Sequence, residues 1–104
     1  MADIPEYPYT TSEVRIPDGQ MLDGSRWDDL KQKIIAVYQE KMKKNLRVTE
    51  IDGVRFDCSY GWVLIRQSGT TPLVRIAVES REGVQQANQM MEEAKKLLGE
   101  FLHA

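Results

Sequence analysis

Cysteine and histidine are almost absent: the 104 residues contain one of each, Cys58 and His103. A single thiol cannot close an internal disulfide, so packing alone must hold the fold, and a reducing cytoplasm is the expected compartment. A single imidazole one residue from the end excludes a histidine-rich metal centre and argues against histidine general-base catalysis. Its expected role is to complement a helix dipole. No apolar run approaches the roughly 20 residues that span a bilayer, so no membrane partner is expected. The polar opening from Met1 to Thr11, punctuated by Pro5 and Pro8, does not resemble a secretory signal. An excess of one charge is missing too. Fourteen basic and 16 acidic side chains leave a net charge of -2, which argues against a general nucleic-acid binder with its many phosphate contacts. A local site for one anion needs only a few basic groups and stays open.

What remains is an ordinary globular balance, 41% hydrophobic and 29% charged residues, in a length that supports one core. Residues 1–12 read as an extended lead-in or linker, and residues 13–104 as one domain. Glu13 to Ile16 alternates polar and apolar as a short strand, stopped by Pro17-Asp18-Gly19. Ser25, supported by Asp28, is the expected cap of a first helix, with Trp27, Leu30, Ile34, Val37, Tyr38 and Met42 on its apolar face. Asn45 is the expected stop. The period then changes to two. Asp52-Gly53 predicts a tight turn between short strands, and Val54, Phe56 and Cys58 alternate with polar residues. Trp62-Val63-Leu64-Ile65 is apolar on both faces, which predicts a central, well-covered strand with Trp62 in the core. Val74, Ile76 and Val78 mark the last strand. Ser80 is the expected cap of a second helix, with Val84, Ala87, Met91, Ala94, Leu98 and Phe101 on one face. This order predicts an α+β two-layer sandwich, an antiparallel sheet with two helices on one face. Cys58, Met90 and Met91 are expected to pack rather than react, and Lys41, Lys43 and Lys44 to form a wet helix end.

One segment does not fit plain packing: Arg66-Gln67-Ser68-Gly69-Thr70-Thr71-Pro72 interrupts two apolar strands with small, donor-rich residues behind an arginine. Such a loop suits phosphate. Arg66 supplies a planar fork, and Ser68 and Thr70 offer hydroxyls. Gly69 permits close backbone approach or a positive φ, so that successive amides can face one anion. A polar hairpin loop whose hydroxyls cap their own backbone is the structural alternative.

The segment resembles the R-x-S-G-T-E-P signature of the α-D-phosphohexomutases, the phosphomannomutases, phosphoglucomutases and phosphoglucosamine mutases. Asp52-Gly53-Val54, Gly61 to Arg66 and Leu73 to Glu79 are also similar to that family's last domain. The resemblance implies a β-α-β4-α order like that of the TATA-box-binding protein. It places Arg66, Ser68, Gly69 and Thr70, and with them Thr71, at positions that cradle the substrate phosphate, with Arg75 as a less firm addition. Thr71 stands where many members carry glutamate, a change that favours a dianion but obscures the substrate subclass. The family interconverts hexose 1- and 6-phosphates through a phosphoserine, with Mg²⁺ on an Asp-x-Asp-x-Asp run, all on three preceding domains. No such run occurs here, and Asp28-Asp29 reads as a solvated face. The resemblance therefore implies a phosphosugar-binding domain with no cofactor of its own, no catalytic residue and no activity when alone. A free-standing binding or interaction module of the same fold is the alternative reading. An RNA-binding domain is disfavoured by the charge and by the lack of paired exposed aromatics on a strand.

Overall fold

The computed structural model describes residues 7–19, 21–43 and 45–103. Their order is β1 (Tyr9–Arg15), a 3₁₀ turn (Pro17–Gly19), α1 (Gly24–Met42), β2 (Arg47–Thr49), β3 (Val54–Cys58), β4 (Gly61–Gln67), β5 (Leu73–Ser80) and α2 (Val84–Leu102). All strand pairs are antiparallel, and the sheet order is β1-β5-β4-β3-β2. The order β-α-β4-α and the two-layer α+β architecture are those expected.

The core forms where strand alternation meets helix periodicity. Val54, Phe56, Val63, Ile65, Val74, Ile76 and Val78 point to one face of the sheet and are buried there. Leu30, Ile34, Ile35 and Tyr38 of α1, with Ala87, Met90, Met91, Ala94 and Leu98 of α2, close over them. Tyr38 stacks on Phe56 with ring centroids 4.1 Å apart, so the two aromatic rings join α1 to the sheet. Full burial of a side chain like Phe56 contributes about 1.5–3 kcal/mol.

Several boundaries differ from the sequence reading, each for a local reason. β1 begins at Tyr9 rather than Glu13, because the Tyr9–Arg15 backbone pairs throughout with Leu73–Glu79. Thus 9–12 belong to the sheet, and 1–6 of the expected lead-in lie outside the described residues. The cap of α1 is Asp23, whose Oδ1 accepts the Arg26 amide at 2.8 Å, not Ser25. Asp28 instead lies 3.8 Å from Lys31. The α1 C-cap is Lys43, and Asn45 follows in the left-handed region at φ 65°; Lys44 lies outside the described residues. Ser80 ends β5, and α2 starts from Gly83 without a side-chain cap. Buried Ser80 uses its Oγ to accept the Glu82 amide at 3.0 Å, holding the turn before the helix. Val84 is exposed. Cys58 is half-buried rather than part of the core, and donates weakly to the Gly61 carbonyl at 3.3 Å. Lys41 of the lysine cluster pairs with Glu93 of α2 at 2.6 Å.

The larger correction concerns β4. It is the middle strand, but Trp62 and Leu64 alternate away from the helices and lie half-buried on the open face of the sheet. Trp62 is outside the core. Arg55 covers its ring at 4.6 Å, and Tyr9 packs beside it with centroids 6.0 Å apart. Paired aromatics on strands therefore exist, contrary to the expectation drawn from sequence spacing. They become neighbours only because β1 returns to pair with β5.

Candidate functional site

The site is built at one end of the open face, where β4 turns into β5. Register places Arg66 of β4 opposite Arg75 of β5, and Arg75 opposite Glu13 of β1. Because side chains alternate, all three project from the face that the helices leave uncovered. Arg66 and Arg75 are both exposed, and like charges facing each other across strands are unfavourable unless an anion lies between them. Glu13 offsets this weakly, its carboxylate 4.0 Å from the Arg75 Nε. Arg66, Ser68, Gly69, Thr70 and Arg75 line one shallow cavity of about 220 Å³.

The loop between the arginines is organised by its first hydroxyl. Ser68 is buried, and its Oγ accepts the amides of Thr70 at 3.3 Å and Thr71 at 3.2 Å, with Thr71 Oγ1 at 3.1 Å. The Ser68 amide donates to the Leu73 carbonyl and the Leu73 amide to the Thr71 carbonyl. The amides of Ser68, Thr70 and Thr71 are thus engaged inside the loop, whereas the Gly69 amide makes no hydrogen bond to another described residue. This corrects the picture of successive amides aimed outward. Gly69 itself is not in the positive-φ region, and the space around its α-carbon is open, so its contribution is access. Arg66, Arg75, Gly69 and the exposed Thr70 thus lie open at this cavity, while Ser68 holds the loop's shape. Thr70 and Thr71 bring their hydroxyls within 3.4 Å of each other.

Three supports escaped sequence reasoning. Gln67 sends its side chain to the helix side, where its Oε1 accepts the Leu22 amide at 2.7 Å and its Nε2 donates to the Leu22 carbonyl at 3.2 Å. This amide-to-backbone clamp ties the loop to the segment entering α1. The second is Gly53, at φ +127°, where an added β-carbon would meet the Ile65 carbonyl oxygen at 2.5 Å and the Arg66 β-carbon at 2.7 Å. The tight turn expected at Asp52-Gly53 therefore also seats Arg66. Ile16 adds a third tie, its amide donating to the Pro72 carbonyl at 2.9 Å.

At the opposite end of β4, burial and the neighbouring Cys58 push the Tyr60 hydroxyl up to about 12. Burial, with Glu93 nearby, raises that of Tyr38 further. Among the described residues, no three His, Cys, Asp or Glu side chains gather where a metal ion could be held. No helix there is long and apolar enough to cross a membrane.

Comparison with known proteins shows the family of the domain. A probable phosphoglucosamine mutase of Methanococcoides burtonii is 34% identical over 101 residues, covering 97% of this chain and 20% of that protein. A probable phosphoglucosamine mutase of Methanopyrus kandleri is 33% identical over 94 residues, covering 89% of this chain and 18% of that protein. The phosphoglucosamine mutase of Methanocaldococcus jannaschii is 37% identical over 79 residues, 74% of this chain and 17% of that protein. The chain thus spans about a fifth of the length of these relatives. The family model of the phosphoglucomutase/phosphomannomutase C-terminal domain matches residues 14–96, and the chain, with its β-α-β4-α fold and its Arg66–Pro72 loop, belongs to that family of domains.

Proposed function

We propose that this domain binds the phosphate of a phosphosugar for a phosphohexomutase that interconverts hexose 1- and 6-phosphates. The observation that carries this reading is the cross-strand pair Arg66 and Arg75 on an open sheet face, beside a loop held by Ser68. Two guanidiniums that repel each other at rest lose that penalty when a dianion bridges them, so the arrangement favours phosphate over neutral ligands. Arg66, Thr70 and the Gly69 amide contact the phosphate, Arg75 adds charge, and Ser68 and Thr71 keep the loop in place. The names of the relatives point to glucosamine phosphate as the sugar.

The phosphoserine and Mg²⁺ of the reaction belong, in this reading, to preceding domains. This domain supplies binding and orientation. Holding one phosphate while the other is transferred converts a diffusional encounter into a positioned one, which lowers the barrier by several kcal/mol. Charge-assisted hydrogen bonds contribute about 1.5–3 kcal/mol each, and association costs at least ~4 kcal/mol. Three or four contacts therefore give a Kd near the millimolar level for one wall of a cleft.

An amide-shift titration of the chain tests the reading. Glucosamine 6-phosphate should give saturable shifts at Arg66 to Thr71 and at Arg75, and unphosphorylated glucosamine none. Shifts scattered over the surface, or equal for both sugars, would count against a phosphate clamp.

A further inference from the structure

The row that carries Arg66 and Arg75 does not end with them. On the far side of Arg75 stands Glu13, the next residue across the sheet. A second cavity of about 340 Å³ runs along the open face here and shares Arg66 and Arg75 with the phosphate cavity, so the two adjoin at the arginine pair. Its apolar floor is Leu64 and Ala77, with Tyr9 and Glu13 on the β1 side. A sheet face that places two cations and one anion in a line has the polarity of a zwitterion. Adjacent strands lie about 4.8 Å apart, so the Glu13 carboxylate stands roughly one strand beyond the arginine pair.

We infer that Glu13 selects an amino sugar: with the phosphate on Arg66 and Arg75, the ring lies over Leu64 and Ala77 and its ammonium meets the Glu13 carboxylate. The inference rests on the phosphate reading above and deepens it. Its physical basis is charge complementarity. The Glu13–Arg75 contact is long, at 4.0 Å, and both side chains are about half exposed, so the carboxylate can turn to a second cation at small cost. Phosphate binding assists this, because it takes over Arg75 and leaves Glu13 in need of a new partner. A hexose phosphate without an amine supplies none. For the neutral sugar Glu13 is a nearby like charge to the phosphate, and thus weakly repulsive.

The test uses the 104-residue chain and its Glu13→Gln variant, each titrated with glucosamine 6-phosphate, glucose 6-phosphate and inorganic phosphate while the Arg66 to Thr71 amides are followed. An exposed ion pair supports a roughly two- to five-fold preference, so the unaltered chain should bind glucosamine 6-phosphate tighter than glucose 6-phosphate by that factor. In Glu13→Gln the ratio should fall to one through opposite changes, weaker binding of the amino sugar and equal or tighter binding of the other two ligands. Equal affinities for the two sugars in the unaltered chain, with inorganic phosphate still bound, would overturn the role of Glu13 and leave the phosphate site standing. So would a preference that survives in Glu13→Gln. If inorganic phosphate leaves the loop amides unmoved, the phosphate reading and this inference both fall.

Discussion

Gly53 lies directly beneath Arg66, so close that a β-carbon at position 53 would stand 2.7 Å from the arginine's own β-carbon. The β2–β3 turn therefore helps to present the arginine. A glycine is required on two counts here, the φ of +127° and the approach to the Ile65 carbonyl.

The first prediction is that Gly53→Ala costs about 1–3 kcal/mol through backbone strain and overpacking. Because the collision is with Arg66 and Ile65, amide shifts should move at Arg66 to Thr71 as well as at the turn. Denaturant midpoints and a two-dimensional amide spectrum measure both. A variant of unchanged stability with a silent loop would show that the turn does not seat the arginine.

Gln67→Ala removes both halves of the clamp on the Leu22 backbone. Two partly buried hydrogen bonds at about 0.5–1.5 kcal/mol each place the loss at roughly 1–3 kcal/mol. Gln67→Glu keeps the acceptor and loses the donor, so it should be intermediate. Protection of the Leu22 amide from hydrogen exchange should fall in the alanine variant, and unchanged exchange would contradict the clamp.

Ser68→Ala leaves the Thr70 and Thr71 amides without the oxygen that accepts them. The expected cost is about 1–3 kcal/mol, with phosphate binding weakened through loss of loop shape. Arg66→Ala should do the reverse, weakening phosphate binding strongly while leaving thermal stability nearly unchanged, since the side chain is exposed. If Arg66→Ala unfolds the domain, the arginine is structural and the site assignment fails.

Arg75→Gln relieves the cross-strand repulsion with Arg66 at the expense of a weak contact with Glu13. Without anion the variant should be as stable as the parent or slightly more so. With phosphate at ten times the parent's Kd, linkage stabilises the parent by about 1.4 kcal/mol, and the variant should gain clearly less. Equal gains in a thermal melt would remove Arg75 from the site.

Alkaline pH should destabilise the domain in a defined window. The Tyr60 hydroxyl has an ordinary value of 10.0 and is pushed up to about 12 in the fold, chiefly by burial. The folded state therefore holds its proton more tightly than the unfolded state. This contribution is fully present below pH 10 and is lost as pH rises towards 12; Tyr38, raised in the same direction, steepens the fall. Denaturant midpoints from pH 8 to 11.5 should decline, and less so in Tyr60→Phe. A flat profile would contradict the burial of these hydroxyls.

Most of the architecture follows from local patterning. The 3.6-residue spacing from Leu30 to Tyr38 and from Ala87 to Leu98, and the period of two in Val54 to Cys58 and Val74 to Val78, are burial instructions that need no partner to be read. So are Asp52-Gly53 as a turn and Arg66 to Thr71 as an anion-suited loop. These signals are short-range, because backbone geometry alone decides which side chains share a face. Tertiary structure decided what depends on which strands become neighbours. An apolar run such as Trp62 to Ile65 looks the same whether both faces are covered or one. Only the sheet with both helices on one side leaves Trp62 and Leu64 on the open face. The pairing of β1 with β5 brings Glu13 to Arg75, residues 62 apart in the chain, and that of β4 with β5 sets Arg75 against Arg66. The Gln67 clamp joins positions 45 apart, and the seat under Arg66 joins the β2–β3 turn to β4. No local pattern encodes such meetings. The sequence by itself determined the elements, their order and the donor-rich loop between β4 and β5; the strand register determined which charges stand beside it.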